Sequence, residues 1–390
     1  MKKYLLLSSL ALFAVSAQAG QMKTSFYGYI DAYYENVDDS PSPNSTTKTE
    51  NAGEFDVPNI NVIVQSSKDN TKAFLNVTGG GGGNTSVNNA WIDYSKSDAF
   101  AVRFGKMYRP FGLYNEILDA VPTYIGIEPP ELFDSDHQLL TRETNFMLHG
   151  KVNTGDSSVR WSLTTGNDDK AGKNNPIGAD IRWESGTKWK VGTSFYTTGG
   201  YISSPDGTGG STQHMTEEKY SVTGIYGQYR GDNITVQLAG YVSPHEGTRN
   251  TTTYCAYTSL DDFRKNRAGC NSTPIAAADY DVETYYMRVG YDVALGDATL
   301  TPYFQYDYFK NEEIPFSKDD GGDKEAGLSN NGAFTKMTVG AVYRPDFNLA
   351  LKLDYSQHLQ EVDTNSNGIV DGSAENYGEY RVSMSYFWRL

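Results

Sequence analysis

Apolar and polar side chains alternate along much of this chain. In segment 378–390, Val382, Met384 and Trp388 fall on one face and Arg381 on the other. A period of two is that of a β-strand, whose successive side chains point to opposite faces of a sheet. The pattern recurs and predicts sixteen strands. They span 24–34, 55–66, 72–79, 87–95, 99–107, 144–152, 157–166, 177–184, 188–198, 219–229, 232–243, 280–292, 298–309, 333–344, 348–358 and 378–390.

The alternation is not equally regular everywhere. Segment 219–229 is the least regular because aromatic residues fall on both of its faces, and 72–79 and 87–95 are also weak. The connections alternate in length as well. Tight turns such as "KSD", "NTGD" and "ALGD" follow every second strand, and most of the others are long and polar. An up-and-down antiparallel sheet places all tight turns at one end and all long loops at the other.

The fraction of hydrophobic residues indicates which environment the apolar faces of the strands contact. Only 38% of the residues are hydrophobic, against roughly 45–50% in ordinary globular domains, so a large dry core is not available. An all-β transmembrane barrel needs no such core, because its apolar faces point into lipid and its polar faces line water. Closure also pairs every backbone group, and sixteen strands leave room for an aqueous channel. The alternative, a soluble secreted β-sandwich or propeller, does not predict the regular alternation of turns and loops.

The N-terminus has the composition of a secretory signal peptide. Lys2 and Lys3 precede a short apolar run at 4–15, and "AQA" at 17–19 is a small-residue cleavage site. We therefore predict cleavage after Ala19 and a single barrel over 20–390. Removal of the two lysines lowers the formal net charge from −15 to −17, which disfavours nucleic acid as a partner.

Two loop features carry candidate chemistry. Cys255 and Cys270 would form a disulfide in an exported chain. The segment "DTNSNGIVDGSAE" at 363–375 has the spacing of a calcium loop. Its twelfth position is Ala374 rather than glutamate, so a polar surface loop without metal is the alternative. The calcium ligands would be Asp363, Asn365, Asn367 and Asp371; no other cofactor is expected.

Several motifs resemble those of Gram-negative porins. These are the signal peptide, the first strand "YGYIDAYYE" at 27–35 and the aromatic alternation of the last strand, which ends in leucine where phenylalanine is usual. "RFGKMYRPFGLYNEIL" at 103–118 resembles a segment of the phosphate-selective porin O/P family, and "PELFDSD" at 130–136 is similar to the third loop of general porins. The resemblance implies an outer-membrane channel for small hydrophilic solutes and ions, surrounded by lipid and lipopolysaccharide. It also implies a homotrimer.

The longest connection, at about 108–143, is predicted to be the third loop and to fold into the lumen. Its bulky apolar residues, among them Ile125 and Phe133, would be unusual in a loop exposed to water, although packing on neighbouring external loops is an alternative. The acidic residues of this constriction loop are Glu116, Asp119, Glu128, Glu131, Asp134 and Asp136.

The predicted inward faces carry more basic than acidic residues. An acidic loop opposite a basic wall would set up a field across the narrowest section and favour anions. Alternatively, the wall cations pair with loop carboxylates and leave weak selectivity. The principal basic residues are Arg103, Arg160, Arg182, Arg288, Lys336 and Arg381, and the acidic ones are Asp31, Asp93, Asp180, Glu184, Asp292, Asp307 and Asp354.

Catalysis has little support in the sequence. None of the five histidines lies in a G-x-S-x-G or H-E-x-x-H motif, and His149 and His358 are predicted to be ordinary polar residues of the lumen. An outer-membrane protease or phospholipase is the alternative from another class. A surface adhesin or phage receptor is a third, since long external loops could serve that role.

Overall fold

Sixteen long antiparallel strands make up nearly all of the regular structure. The computed structural model describes residues 22–38, 53–80, 83, 85–117, 120–133, 142–167, 174–200, 217–250, 275–277, 279–311, 332–362 and 373–389. The strands are β1 Lys23–Asp38, β2 Glu54–Lys68, β3 Thr71–Gly79, β4 Thr85–Ser97, β5 Phe100–Tyr108, β6 Glu143–Thr154, β7 Ser157–Thr165, β8 Ile177–Ser185, β9 Trp189–Thr197, β10 Glu217–Arg230, β11 Ile234–Asn250, β12 Tyr280–Tyr291, β13 Ala298–Asn311, β14 Gly332–Arg344, β15 Leu349–Val362 and β16 Ser373–Arg389. Two short pieces, Ile275–Ala277 and Val293–Leu295, extend β12 at its ends.

The sheet closes on itself. Each strand pairs with its neighbours in the chain, and β1 also pairs with β16 in a register that runs from Tyr27↔Arg389 to Asp38↔Gly378. The predicted closed antiparallel barrel of sixteen strands is therefore confirmed. In the part of the chain that the structure describes, no helix is long and apolar enough to cross a membrane.

Tight turns lie at one end of the barrel, as predicted for the periplasmic side. Several contain a residue with positive φ, among them Gly155 at 63° and Gly296 at 68°. Two-residue hairpin turns need this left-handed backbone, which glycine adopts without steric strain. Both the first residues of β1 and the last of β16 lie at the same end, because Tyr27 is opposite Arg389.

The two faces of the barrel differ in polarity. Ile181, Ile225 and Leu353 point outward and are exposed, as lipid-facing side chains would be. Their neighbours in sequence, such as Asp180 and Asp354, point inward and are buried. The alternation of the sequence thus becomes an apolar outer belt and a polar lumen.

Several strands are longer than predicted, and β11 and β16 show the largest extensions at one end. β11 continues to Asn250 instead of ending at 243, and β16 begins at Ser373 instead of 378. The additional residues lie at the end with the long loops, and they keep their backbone pairing, as His245↔Tyr280 shows. Beyond the lipid belt a strand no longer needs an apolar face, so alternation fails to mark these extensions.

Candidate pore constriction and lumen

The connection between β5 and β6 folds into the barrel, which confirms the prediction for the third loop. Its described parts contain two short 3-10 helices, Val121–Thr123 and Glu131–Phe133. An aromatic cluster joins this loop to the inner faces of β9–β14. The buried members are Phe111, Tyr114, Val121, Tyr124, Leu132, Phe133, Tyr196, Val222, Tyr226, Ala239, Tyr241, Val282, Tyr286, Phe309 and Phe334.

Ring contacts hold the loop against this wall. Phe111 stacks on Tyr241 with 5.2 Å between ring centroids, and Tyr114 meets Tyr286 edge-to-face at 6.0 Å. Such pairs add about 0.5–1.5 kcal/mol each beyond the burial of their area. The side of the lumen behind the loop is therefore a packed core and not a water-filled space.

Arg288 of β12 donates hydrogen bonds from all three nitrogens of its guanidinium group. Its side chain is buried and donates hydrogen bonds to the carbonyl oxygens of Ile125 and Glu128, the latter at 2.7 Å. Nη1, which donates to Ile125, also donates to the Tyr114 hydroxyl at 2.6 Å, and this hydroxyl donates to Gln237 at 2.5 Å. Arg288 was predicted to line the pore, but its donors bind the loop and it lies beneath the loop instead.

Three more cations fasten the loop further around the barrel. The ammonium of Lys352 donates to the carbonyl oxygens of Tyr124 at 3.1 Å and Gly126 at 2.7 Å. Lys336 forms ion pairs with Glu131 at 2.8 Å and with Glu128. Arg381 also contacts Glu128. The predicted acid–base contacts between loop and wall are thus direct ion pairs on this side of the lumen.

These contacts divide the lumen into two parts. We call the inner faces of β9–β16 the loop-packed wall. We call the inner faces of β3–β8 the open wall, since a cavity of about 510 Å³ lies against them. Pro110 and Glu116 of the loop close the opposite side of this cavity. The cavity lies toward the tight-turn end, because Ser97 and Asp98 also line it.

A row of basic residues crosses the open wall. Lys151, Arg160 and Arg182 are directly opposite one another on β6, β7 and β8. Like charges in such positions destabilise a sheet, which favours a role other than stability. Arg160 pairs with Glu184 at 2.8 Å, and Arg182 lies 3.6 Å from Glu116 of the loop.

Arg103 is also fixed on the open wall. Its Nε atom donates to Asp93 at 2.8 Å, and Asp93 also contacts His149 Nε2 at 2.7 Å. By contrast, Lys72 and Lys151, which line the cavity, form no ion pair with any residue that the structure describes. Asp98, in the turn between β4 and β5, also lines the cavity without an ion pair among these residues, so the two lysines leave a net positive charge.

Other predicted residues fall in different places. The structure adds Glu35 and Glu379 to the lumen face, where both contact Arg381; the sequence count of acidic residues left them out. Several predicted site residues lie outside the described residues, so their roles stay predictions. These are Asp119, Asp134, Asp136, Cys255, Cys270, Asp363, Asn365, Asn367 and Asp371.

His149 and His358, the two histidines predicted to face the lumen, each have a carboxylate partner. His149 contacts Asp93, and His358 lies 3.0 Å from Glu379. Ser162 is opposite His149 on β7, but its hydroxyl has no hydrogen-bond partner in the described structure. A nucleophile activated by this histidine would need such a bond. Within the same residues no group of three or more His, Cys, Asp or Glu could hold a metal ion.

A closed sixteen-strand antiparallel barrel, whose polar lumen is narrowed by an inward loop, defines the outer-membrane channels through which small hydrophilic solutes diffuse passively. The chain belongs to the Gram-negative porin family, whose model matches residues 7–362. It is accordingly a channel of the outer membrane of a Gram-negative bacterium.

Solved structures of similar fold are distant in sequence. The anion-selective porin from Comamonas acidovorans is 11% identical, with a TM-score of 0.61 over 94% of this chain and 100% of that one. The outer membrane channel DcaP of Acinetobacter baumannii is 11% identical, with a TM-score of 0.55 over 95% and 98%. OmpT of Vibrio cholerae in its trimer form is 12% identical, with a TM-score of 0.56 over 95% and 100%. A comparison with curated proteins finds no match.

Proposed function

We propose that this porin passes small hydrophilic solutes and ions along the open wall with a bias toward anions. The observation that carries the proposal is the position of Lys72 and Lys151, which line the cavity without an ion-pair partner among the described residues. The buried cations of the loop-packed wall contribute little, because loop oxygens already compensate them. Selection by charge therefore takes place on one side of the lumen.

The loop supplies the opposite charge across the same cavity. Glu116 faces the basic row of Lys151, Arg160 and Arg182, so a field crosses the passage at this level. Clusters of charge of this kind set the selectivity of a channel for ions and polar solutes. The proposal agrees with the description of the distant Comamonas acidovorans porin as anion-selective.

Reversal potentials in planar bilayers test the proposal. Under a gradient of potassium chloride, we expect the wild-type channel to prefer chloride and the variant K72Q/K151Q to lose most of that preference. The control K68Q/K96Q removes the same charge from residues of β2 and β4 whose position in the alternation points them outward. The control should keep the wild-type potential. A preference of the wild type for cations would overturn the anion bias.

Three further features belong to the proposal. We infer cleavage after Ala19, a disulfide between Cys255 and Cys270 that stiffens an external loop, and a homotrimer. The trimer is supported by the trimer form of the Vibrio cholerae protein. Mass spectrometry of the mature protein tests the cleavage site and the disulfide. Three equal closure steps in single-channel recordings are expected of a trimer, and one step per insertion would contradict it.

Calcium binding at 363–371 is open to a direct titration. If Asp363, Asn365, Asn367 and Asp371 are ligands, isothermal titration of the purified porin should give heat at millimolar calcium or below. The variant D363N/D371N should abolish that heat. An absence of heat in the wild-type protein would leave a polar loop without metal.

A further inference from the structure

Two aromatic residues lie on the lumen side of the open wall. Ile92 is 60% exposed on the lipid side of β4, so its neighbour Trp91 points inward, like Asp93. Phe74 of β3 is directly opposite Trp91, and the two rings stack with centroids 5.1 Å apart and an interplanar angle of 8°. The inner faces of barrels with aqueous channels are ordinarily polar, so this pair departs from the rule.

Packing of the described residues of the third loop does not account for the pair. The aromatic cluster that holds the loop is built from β9–β14, and neither Phe74 nor Trp91 belongs to it. Both residues are half-buried, and Arg103, which lies over the Trp91 ring, lines the cavity. Where local chemistry breaks the pattern of a fold without a packing reason, a functional role is the expected explanation.

Arg103 completes the arrangement. Its guanidinium carbon lies 3.8 Å from the centroid of the Trp91 ring, on one face of the indole, and its Nε atom is bound to Asp93. Among the residues that the structure describes, none accepts a hydrogen bond from its two Nη atoms. Arg103 also lines the cavity. A guanidinium held in this way presents a preformed fork for a carboxylate.

Gly105 leaves the neighbouring position without a side chain. Gly105 lies on β5, directly opposite Trp91 of β4, and has a φ of 128°. A Cβ atom there would meet the carbonyl oxygen of Ala90 at 2.2 Å, so the backbone itself requires glycine.

We propose that Phe74, Trp91 and Arg103, here named the aromatic–arginine site, bind small aromatic carboxylates during passage. The edge of an aromatic ring is electropositive and its face electronegative, so edge-to-face contact suits the face of a passing aryl ring. The carboxylate accepts hydrogen bonds from the Nη atoms of Arg103. The inference rests on the proposed anion bias, because an anion must first enter the cavity. Binding is weak enough for the solute to leave.

Reversal potentials under bi-ionic conditions test the site, with chloride on one side and benzoate, cyclohexanecarboxylate or acetate on the other. Cyclohexanecarboxylate resembles benzoate in size but has no π face. We expect the wild-type channel to pass benzoate better than cyclohexanecarboxylate. The variants W91L and F74L should each reduce that ratio by about twofold to tenfold, which corresponds to one aromatic contact.

The control for these variants is I92L, on the lipid side of the same strand. It should keep the wild-type ratio. Conductance in potassium chloride identifies variants that still form channels, and two separate substitutions guard against failure of one to fold. R103Q should weaken the permeation of benzoate, acetate and cyclohexanecarboxylate together and change their order little.

The outcomes separate this inference from the proposed function. If the wild-type channel prefers chloride to potassium but passes the three carboxylates in order of size, the aromatic–arginine site is wrong and the anion bias stands. A channel that prefers potassium overturns both. Equal ratios in W91L, F74L and the wild type would also overturn the site.

Discussion

The two walls of the lumen use the same kind of residue for different purposes. On the loop-packed wall, Arg288 is buried and gives its donors to loop carbonyls and to Tyr114. On the open wall, Arg160 is about half exposed, and Glu184 is its one ion-pair partner among the residues that the structure describes. An arginine in a porin lumen is therefore structural or functional according to the wall on which the third loop packs. Residue type and an inward orientation do not by themselves decide it.

The largest expected difference between the walls is in stability. The variant R288M leaves buried loop carbonyls without donors, and breaking a buried charged network typically costs about 3–5 kcal/mol. We expect the third loop to detach, the protein in detergent to become sensitive to chymotrypsin within the loop, and single-channel conductance to rise several-fold.

The matched substitution on the open wall is R160M. Because exposed ion pairs contribute about 0–1 kcal/mol, this variant should keep the protease resistance of the loop and change ion selectivity only. If R288M and R160M had equal effects on protease resistance, the division into two walls would be wrong.

A smaller effect is expected for Y114F. The hydroxyl that it removes joins Arg288 to Gln237, and loss of one buried partner costs about 1–3 kcal/mol. Burial raises the pKa of the Tyr114 hydroxyl above its ordinary value of 10.0. The pKa of this hydroxyl is higher in the folded than in the unfolded protein. The hydroxyl therefore contributes fully to stability below pH 10, and this contribution is lost as the pH rises above 10 and through the folded pKa.

Protease resistance of the loop measured from pH 8 to pH 11 checks this prediction. At pH 8, Y114F should already be less resistant than the wild type. Toward pH 11 the wild type should lose this advantage. The control is Y94F, because Tyr94 points outward and is exposed. A loss of resistance that is identical in Y114F and Y94F would show that the hydroxyl does not fasten the loop.

The smallest effect on stability is expected on the loop side of the cavity. Glu116 is exposed to a large extent and lies 3.6 Å from Arg182, so E116Q should change stability by no more than about 0.5 kcal/mol. It should nevertheless raise the preference for anions, since it removes the negative side of the field. Reversal potentials of E116Q check this preference. The control is E246Q, which removes a carboxylate near the long-loop end of β11. An unchanged potential would place Glu116 outside the ion path.

Most of the fold could be predicted from the sequence because a strand between lipid and water must alternate apolar and polar residues. All sixteen strands were predicted, and the closure of β1 on β16 followed from the need to pair every backbone group. The three irregular segments have a physical explanation. On 72–79 and 87–95, Phe74 and Trp91 occupy the inward face. On 219–229, Val222 and Tyr226 pack on the loop cluster.

The site was less predictable than the fold. The sequence indicates that the third loop enters the lumen, since Phe133 and its apolar neighbours need cover. It does not indicate which strands provide that cover, because this depends on contacts between residues far apart in the chain, such as Tyr114 with Gln237. Roles for Arg288 and Arg160 could not be told apart for the same reason. Phe74 and Trp91 could have been found as aromatics on a face that should be polar.

The seam between β1 and β16 also has a consequence for biogenesis. The first strand to leave the export machinery must wait for the last one, since twelve residue pairs from Tyr27↔Arg389 to Asp38↔Gly378 join the two. Until then both edges are unsatisfied, and the hydrocarbon interior penalises each bare amide by several kcal/mol. The barrel therefore cannot satisfy its backbone within the bilayer before its last strand is available.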